Sequence, residues 1–164
     1  MITTVIFDWG DTVMRDFPDN SGPMYTWDHV DWIPGAKELL QKLFGRFRLV
    51  IATNAGESDT ADMIKALDRL DATRFFTAYF SSKDLGVSKP DPEFFFSICK
   101  RLNTSPAQCV FIGNSYEKDI VGAAKAGMMT VLLDEQNHYP AAPLACFCVT
   151  NLLNLNTLLF DAKH

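Results

Sequence analysis

Six short apolar runs, separated by stretches of helical periodicity, constrain this chain more than any other feature. The runs lie at 2–7, 47–52, 75–80, 109–112, 129–133 and 146–149. Each is too short for a buried helix and rich in β-branched or aromatic residues, so each reads as a strand covered on both faces. Between them, Ala36, Leu39, Leu40, Leu43 and Phe44 share one helical face behind Pro34. Met63, Ile64, Leu67 and Leu70 do the same behind Ser58, the expected N-cap. Phe95, Ile98, Cys99 and Leu102 follow the Asp91–Pro92 helix start, and Ile120, Ala123 and Ala124 precede a stop at Gly127. A closing helix is expected over 152–160. Strands alternating with helices predict an α/β fold: a doubly wound parallel sheet with right-handed crossovers, in three α/β/α layers.

At 164 residues the whole of 1–164 fits one domain. Residues 14–33 break the alternation. They carry Pro18, Gly22, Pro23 and scattered aromatics and read as a long flap, with Tyr25, Trp27 and Trp32 placed either to cover a pocket or to pin the flap to the core. The net charge of -5 gives no electrostatic case for nucleic acid or for an anionic membrane as partner. No apolar run is long enough to span a bilayer. The first run has no basic flank and is interrupted by Asp8, which argues against a signal peptide and for a cytoplasmic location. Cys99, Cys109, Cys146 and Cys148 are too few for a disulfide scaffold. Cys146 and Cys148 share a strand face, lack further ligands at zinc-like spacing, and read as buried thiols.

In an open parallel sheet the ligand crevice lies beyond the carboxyl ends of the strands. Asp8 stands at the end of the first run, Thr53 and Asn54 at the end of the second, and Asn114 at the end of the fourth. Lys89 and Asp119 lie on loop-to-helix starts at the same edge. Carboxylates and an amide oxygen are hard donors suited to Mg²⁺. A hydroxyl, a lysine and loop amides suit a phosphate. A carboxylate attacks a phosphate dianion only if their like charges are screened, which Mg²⁺ and Lys89 would do. Pro90 restricts Lys89 to extended backbone and helps aim it. On this reading Asp8 is a nucleophile that forms an aspartyl phosphate, later hydrolysed by water.

Four segments in order resemble the haloacid dehalogenase (HAD) superfamily. The family's D-x-D-G-T-[LV] stands as Asp8, Trp9, Gly10, Asp11, Thr12, Val13; its strand-end hydroxyl as Thr53 in Ile51-Ala52-Thr53-Asn54; its lysine as Lys89-Pro90-Asp91-Pro92. The fourth, G-D-x-x-x-x-D, stands as Gly113, Asn114, Ser115 and on to Asp119. The resemblance implies a Mg²⁺-dependent phosphomonoester hydrolase on a Rossmann-like core. It implies Asp8 as nucleophile and metal ligand, the carbonyl of Gly10 as a further ligand, Asn114 and Asp119 completing the metal site, and Thr53, Asn54 and Lys89 around the phosphoryl group. Two positions depart from the pattern. Gly10 replaces the family's general acid and base, with Asp11 beside it as the candidate substitute, and Asn114 replaces an acidic ligand, which implies weaker metal affinity.

About 45 residues separate Asp8 from Thr53, and the flap and one helix use them up, so no separate cap domain fits there. The chain therefore looks like a minimally capped member, a monomer or weak dimer. An open site admits a phosphorylated small molecule or an exposed phosphate on a larger substrate. The alternative is a catalytically weakened relative that binds phosphate or protein.

Overall fold

The computed structural model describes residues 1–160. Six strands form one sheet: β1 (Thr4–Phe7), β2 (Arg48–Thr53), β3 (Ala78–Ser81), β4 (Cys109–Gly113), β5 (Met129–Leu133) and β6 (Phe147–Val149). All neighbours pair in parallel, in the order β3-β2-β1-β4-β5-β6. Chain direction across the sheet reverses at β1, between β2 and β4. Such a switch point leaves a crevice at the strand ends.

Side chains alternate between the two faces. Val5, Phe7, Leu49, Ile51, Val110 and Ile112 pack with α1 (Ala36–Leu43) and α2 (Thr60–Asp68). Ile6, Val50, Ala52, Phe80 and Phe111 face α4 (Pro92–Leu102) and α5 (Val121–Lys125). The sheet is thus sandwiched between two helical layers, with a short α3 (Ser82–Leu85) inside the polar connection after β3.

The structure moves several expected boundaries. Helix α1 begins at Ala36 behind Gly35, which holds a left-handed φ of 82°. It stops at Leu43, so Phe44 leaves the helical face and is 56% exposed. The N-cap of α2 is Asp59, in a reciprocal capping box with Asp62. The Ser58 hydroxyl instead accepts the Met24 N–H at 3.2 Å. Phe75 belongs to a 3₁₀ turn (Thr73–Phe75), and β3 starts at Ala78. The closing segment is two 3₁₀ turns, Leu152–Asn154 and Thr157–Phe160, rather than one helix. Cys146 and Cys148 are exposed: Cys148 stands on β6, the edge strand of the sheet, and Cys146 just ahead of it. The buried thiols are Cys99 and Cys109, 3.9 Å apart. Among the described residues no helix is long and apolar enough to cross a membrane.

Candidate active site

Asp8 leaves β1 with its backbone still in the sheet, its N–H donating to Ile112 O at 2.9 Å. The chain then folds back at once: the N–H groups of Thr12, Val13 and Met14 all point at the Trp9 carbonyl, and Asp11 N donates to Met14 O. Asp11 takes a left-handed φ of 57°, a conformation that Asp tolerates better than most residues. The turn leaves the Asp8 carboxylate facing the crevice at the switch point.

Lys89 comes from the loop before α4. Its backbone is clamped by the Asn54 side chain, which donates to Lys89 O at 3.0 Å and accepts Lys89 N–H at 2.8 Å. Its ammonium lies 2.8 Å from Asp8 Oδ1 and 2.7 Å from Asp119 Oδ1. All three groups are buried, at 5% exposure or less for Lys89 and Asp119. Burial works against the Lys89 charge, but the two carboxylates more than offset it and its pKa is raised. Asp119 is raised to about 6, by burial first and by the negative charge of Asp8 second, against the pull of Lys89.

Asp119 sits on a turn of π-helix (Tyr116–Ile120), a wide coil that turns its carboxylate back under β4. Its Oδ2 accepts the Ser115 N–H at 3.0 Å. That fit needs a glycine at 113, where a Cβ would come within 2.3 Å of the carboxylate. The Thr12 hydroxyl lies 3.2 Å from Asp8 Oδ2 and 3.3 Å from Asn114 Oδ1 and can donate to either. Two oxygens from residues 8 and 114 therefore converge on one atom.

Asp8, Gly10, Asp11, Asp16, Thr53, Asn54, Lys89, Asn114 and Asp119 line one hollow of about 270 Å³. Every residue singled out from the sequence reaches it, but not every side chain is free. Asn54 is committed at both ends of its amide to Lys89, which makes it a positioning residue. Asp11 Oδ1 accepts the Asp16 N–H at 3.0 Å and lies 3.5 Å from Arg15 Nη1. Burial raises the Asp11 pKa, against that backbone hydrogen bond. Thr12, part of the first motif, also reaches the site, and a hydroxyl four residues after the carboxylate is its signal in the sequence. Asp16 leaves no signal in the sequence, because it is brought back to the site through its own backbone N–H, held by Asp11 Oδ1, and the bridge between Gly10 and Met14.

No group of three His, Cys, Asp or Glu residues is placed to hold a metal among the described residues. The oxygen set is instead two carboxylates, Asp8 and Asp119, with the neutral amide oxygen of Asn114. Such hard donors fit a divalent cation of the Mg²⁺ kind, with less charge than three carboxylates supply.

A second hollow of about 330 Å³ adjoins the first and is lined by Trp9, Met24, Trp27 and Glu57 among others. The stretch 14–33 forms its wall. That stretch is tied down: Arg15 is bidentate to Glu135 at 2.8 and 2.9 Å, Gly22 N donates to Glu57 Oε2, and the Arg69 guanidinium donates to the carbonyls of Tyr25, Trp27 and Asp28. Trp27 is buried and its indole N–H donates to Ser21 O at 3.0 Å. The flap aromatics thus pin the stretch, and Trp27 also borders the hollow.

The model of the haloacid dehalogenase-like hydrolases matches residues 10–127. A glyceraldehyde 3-phosphate phosphatase from Methanopyrus kandleri is 36% identical over 77 residues, 47% of this chain and 33% of the relative. An N-acylneuraminate-9-phosphatase from Mus musculus is 28% identical over 134 residues, 80% of this chain and 53% of the relative. The matches therefore span a third to about half of the length of these enzymes. Among solved structures, an uncharacterized protein from Listeria monocytogenes serotype 4b superposes with a TM-score of 0.82 at 26% identity, over 98% of this chain and 99% of the other.

Proposed function

The chain belongs to the haloacid dehalogenase-like hydrolases, and on that premise we propose that it hydrolyses phosphate monoesters through an aspartyl phosphate on Asp8. One observation carries the reading: the buried ammonium of Lys89 held between Asp8 and Asp119 at the switch point of the sheet. An isolated carboxylate at a strand end would be a turn residue; one buried beside a cation at the mouth of a hollow is placed to attack an anion.

Asp8, Asn114, Asp119 and the main chain at Gly10 would hold Mg²⁺, which when bound supplies Lewis-acid screening of the phosphate charge. Lys89 neutralises a further phosphoryl oxygen and the charge that develops during transfer. The buried hydroxyl of Thr53 orients the phosphoryl group. Thr12 steers Asp8 by holding Oδ2, which leaves Oδ1 toward Lys89 and the incoming phosphorus. Asp8 attacks, the ester oxygen departs, and water then cleaves the acyl phosphate and restores the carboxylate. The stretch 14–33 stands in place of a cap, in a single domain over 1–164, and the substrate is a phosphorylated small molecule or a phosphate exposed on a larger one.

Wild type is expected to release inorganic phosphate from 4-nitrophenyl phosphate with Mg²⁺ and to lose that activity in EDTA. Asp8→Asn is expected to fall to background, and acid-quenched wild type to carry phosphate on Asp8. Release undiminished in Asp8→Asn would overturn the reading. Gly10 favours a second one, a relative that binds phosphate without turnover, since no carboxyl stands at that position. Beryllium fluoride binding at Asp8, with no hydrolysis of any phosphate ester, would establish it.

A further inference from the structure

We infer that Asp16 is the proton donor and acceptor of the reaction, the part Gly10 cannot play; the inference rests on the phosphatase reading above. A Cβ built on Gly10 would have the Asp16 Cβ as its nearest neighbour, at 3.8 Å. The two positions therefore project side chains into the same space, although six residues separate them. The doubled-back turn brings this about: Gly10 bridges to Met14, and Asp16 N–H is tied to Asp11 Oδ1.

The two hollows give a second, separate argument. The smaller one holds Asp8 and Lys89 and would take the phosphoryl group; the larger one beside it would take the rest of the ester. Gly10, Asp16, Thr53 and Asn54 line both. The bridging oxygen of a bound ester lies at that boundary, and Asp16 alone of the four carries a titratable side chain. Its carboxyl has no hydrogen-bond or ion-pair partner among the described residues, so nothing has to be broken before it acts. Asp11, the candidate the sequence suggests, is in the opposite condition. Its carboxylate accepts the Asp16 N–H and neighbours Arg15, so it braces the turn and positions Asp16.

The proton count closes. Asp8 Oδ1 bonds to phosphorus as the P–O ester bond breaks, and the Asp16 carboxylic acid gives its proton to the departing oxygen. Water then attacks the phosphorus and gives a proton to the Asp16 carboxylate, while the phosphorus–Asp8 bond breaks and returns the electron pair to Asp8. Inorganic phosphate leaves with Asp16 protonated again.

A proton donor matters most for a poor leaving group, and that sets the test. The substrates are phenyl, 4-nitrophenyl and 2,4-dinitrophenyl phosphate with Mg²⁺, read as kcat/KM, which covers the steps up to departure of the phenol. Asp16→Asn is expected to lose a factor of about 10² to 10⁴ on phenyl phosphate and less than about tenfold on 2,4-dinitrophenyl phosphate, which leaves without help. Asp16 is exposed, so the change spares the core. Gly10→Asp added to Asp16→Asn is expected to restore the phenyl phosphate rate, because it brings a carboxyl to the same boundary between the two hollows. Asp11→Asn keeps an oxygen that can hold the Asp16 N–H and is expected to show a smaller leaving-group dependence than Asp16→Asn. An equal effect of Asp16→Asn on all three substrates, or none, overturns the inference while leaving the phosphatase reading intact, provided Asp8→Asn is inactive. So does a leaving-group-dependent loss in Asp11→Asn alone. A wild type inactive on all three overturns the phosphatase reading and the inference together.

Discussion

Lys89 holds its charge where water does not reach, and the two carboxylates beside it are the reason it can. Removing the ammonium leaves Asp8 and Asp119 buried face to face, a loss of about 3–5 kcal/mol for a broken buried pair. The sign of its pH dependence follows from Asp119. Its folded-state pKa is already above the ordinary 3.8, at about 6, and rises further without Lys89. A carboxyl with a raised folded pKa stabilises the fold at low pH, and that contribution is lost as pH rises through the folded value. Urea denaturation of Lys89→Met is therefore expected to show a smaller deficit against wild type at pH 5 than at pH 8. At this scale the sequence was informative where a side chain's position follows from a strand end, as for Asp8 and Thr53, or from a helix start, as for Lys89 and Asp119. It was uninformative where the deciding partner is a backbone group. The Asn54 amide reads as a phosphate donor until its two ends are seen on Lys89, and Asp11 reads as a free carboxyl until its Oδ1 is seen on the Asp16 N–H.

Strands were legible in number and kind, helices less so, and both least at their ends. Strands covered on both faces announce themselves as apolar runs, and all six paired in parallel. The helix starts moved by a residue or two because Asp59 offered a reciprocal cap with Asp62 that Ser58 did not have. The closing helix failed because Asn151, Asn154 and Asn156 interrupt it; Asn side chains compete for nearby backbone groups, as Asn151 does by accepting Leu153 N–H. Helix α5 depends on a glycine for a different reason. A Cβ at Gly122 would come within 2.4 Å of the Pro90 carbonyl and 2.5 Å of the Phe95 ring. Gly122→Ala gains up to about 1 kcal/mol of helix propensity yet forces apart the helix and the loop that carries Lys89. A net destabilisation of about 1–3 kcal/mol is expected, measurable as a lower urea midpoint together with reduced phosphate release.

Across the whole molecule, the stretch 14–33 is held by bonds to main-chain carbonyls, which leave no trace in a sequence. Arg69 on the end of α2 donates to three of them. Arg69→Ala is expected to speed amide exchange over residues 24–28 about five- to tenfold, as the loss of about 1 kcal/mol of hydrogen bonding predicts, while exchange in β1 and β4 stays unchanged. Equal acceleration in those strands would mean that the stretch unfolds only with the core.

Asp8 and Lys89 lie 81 positions apart along the chain, and Asp119 a further 30 beyond Lys89. A chain emerging from the ribosome therefore holds Asp8 and Thr12 long before it holds Lys89 or Asp119. Asn114 and Asp119 reach Asp8 only when β4 slots in next to β1. Under the proposed function, recovery of phosphate release after dilution from urea should consequently coincide with the β1–β4 pairing, so the chemistry times that step of folding.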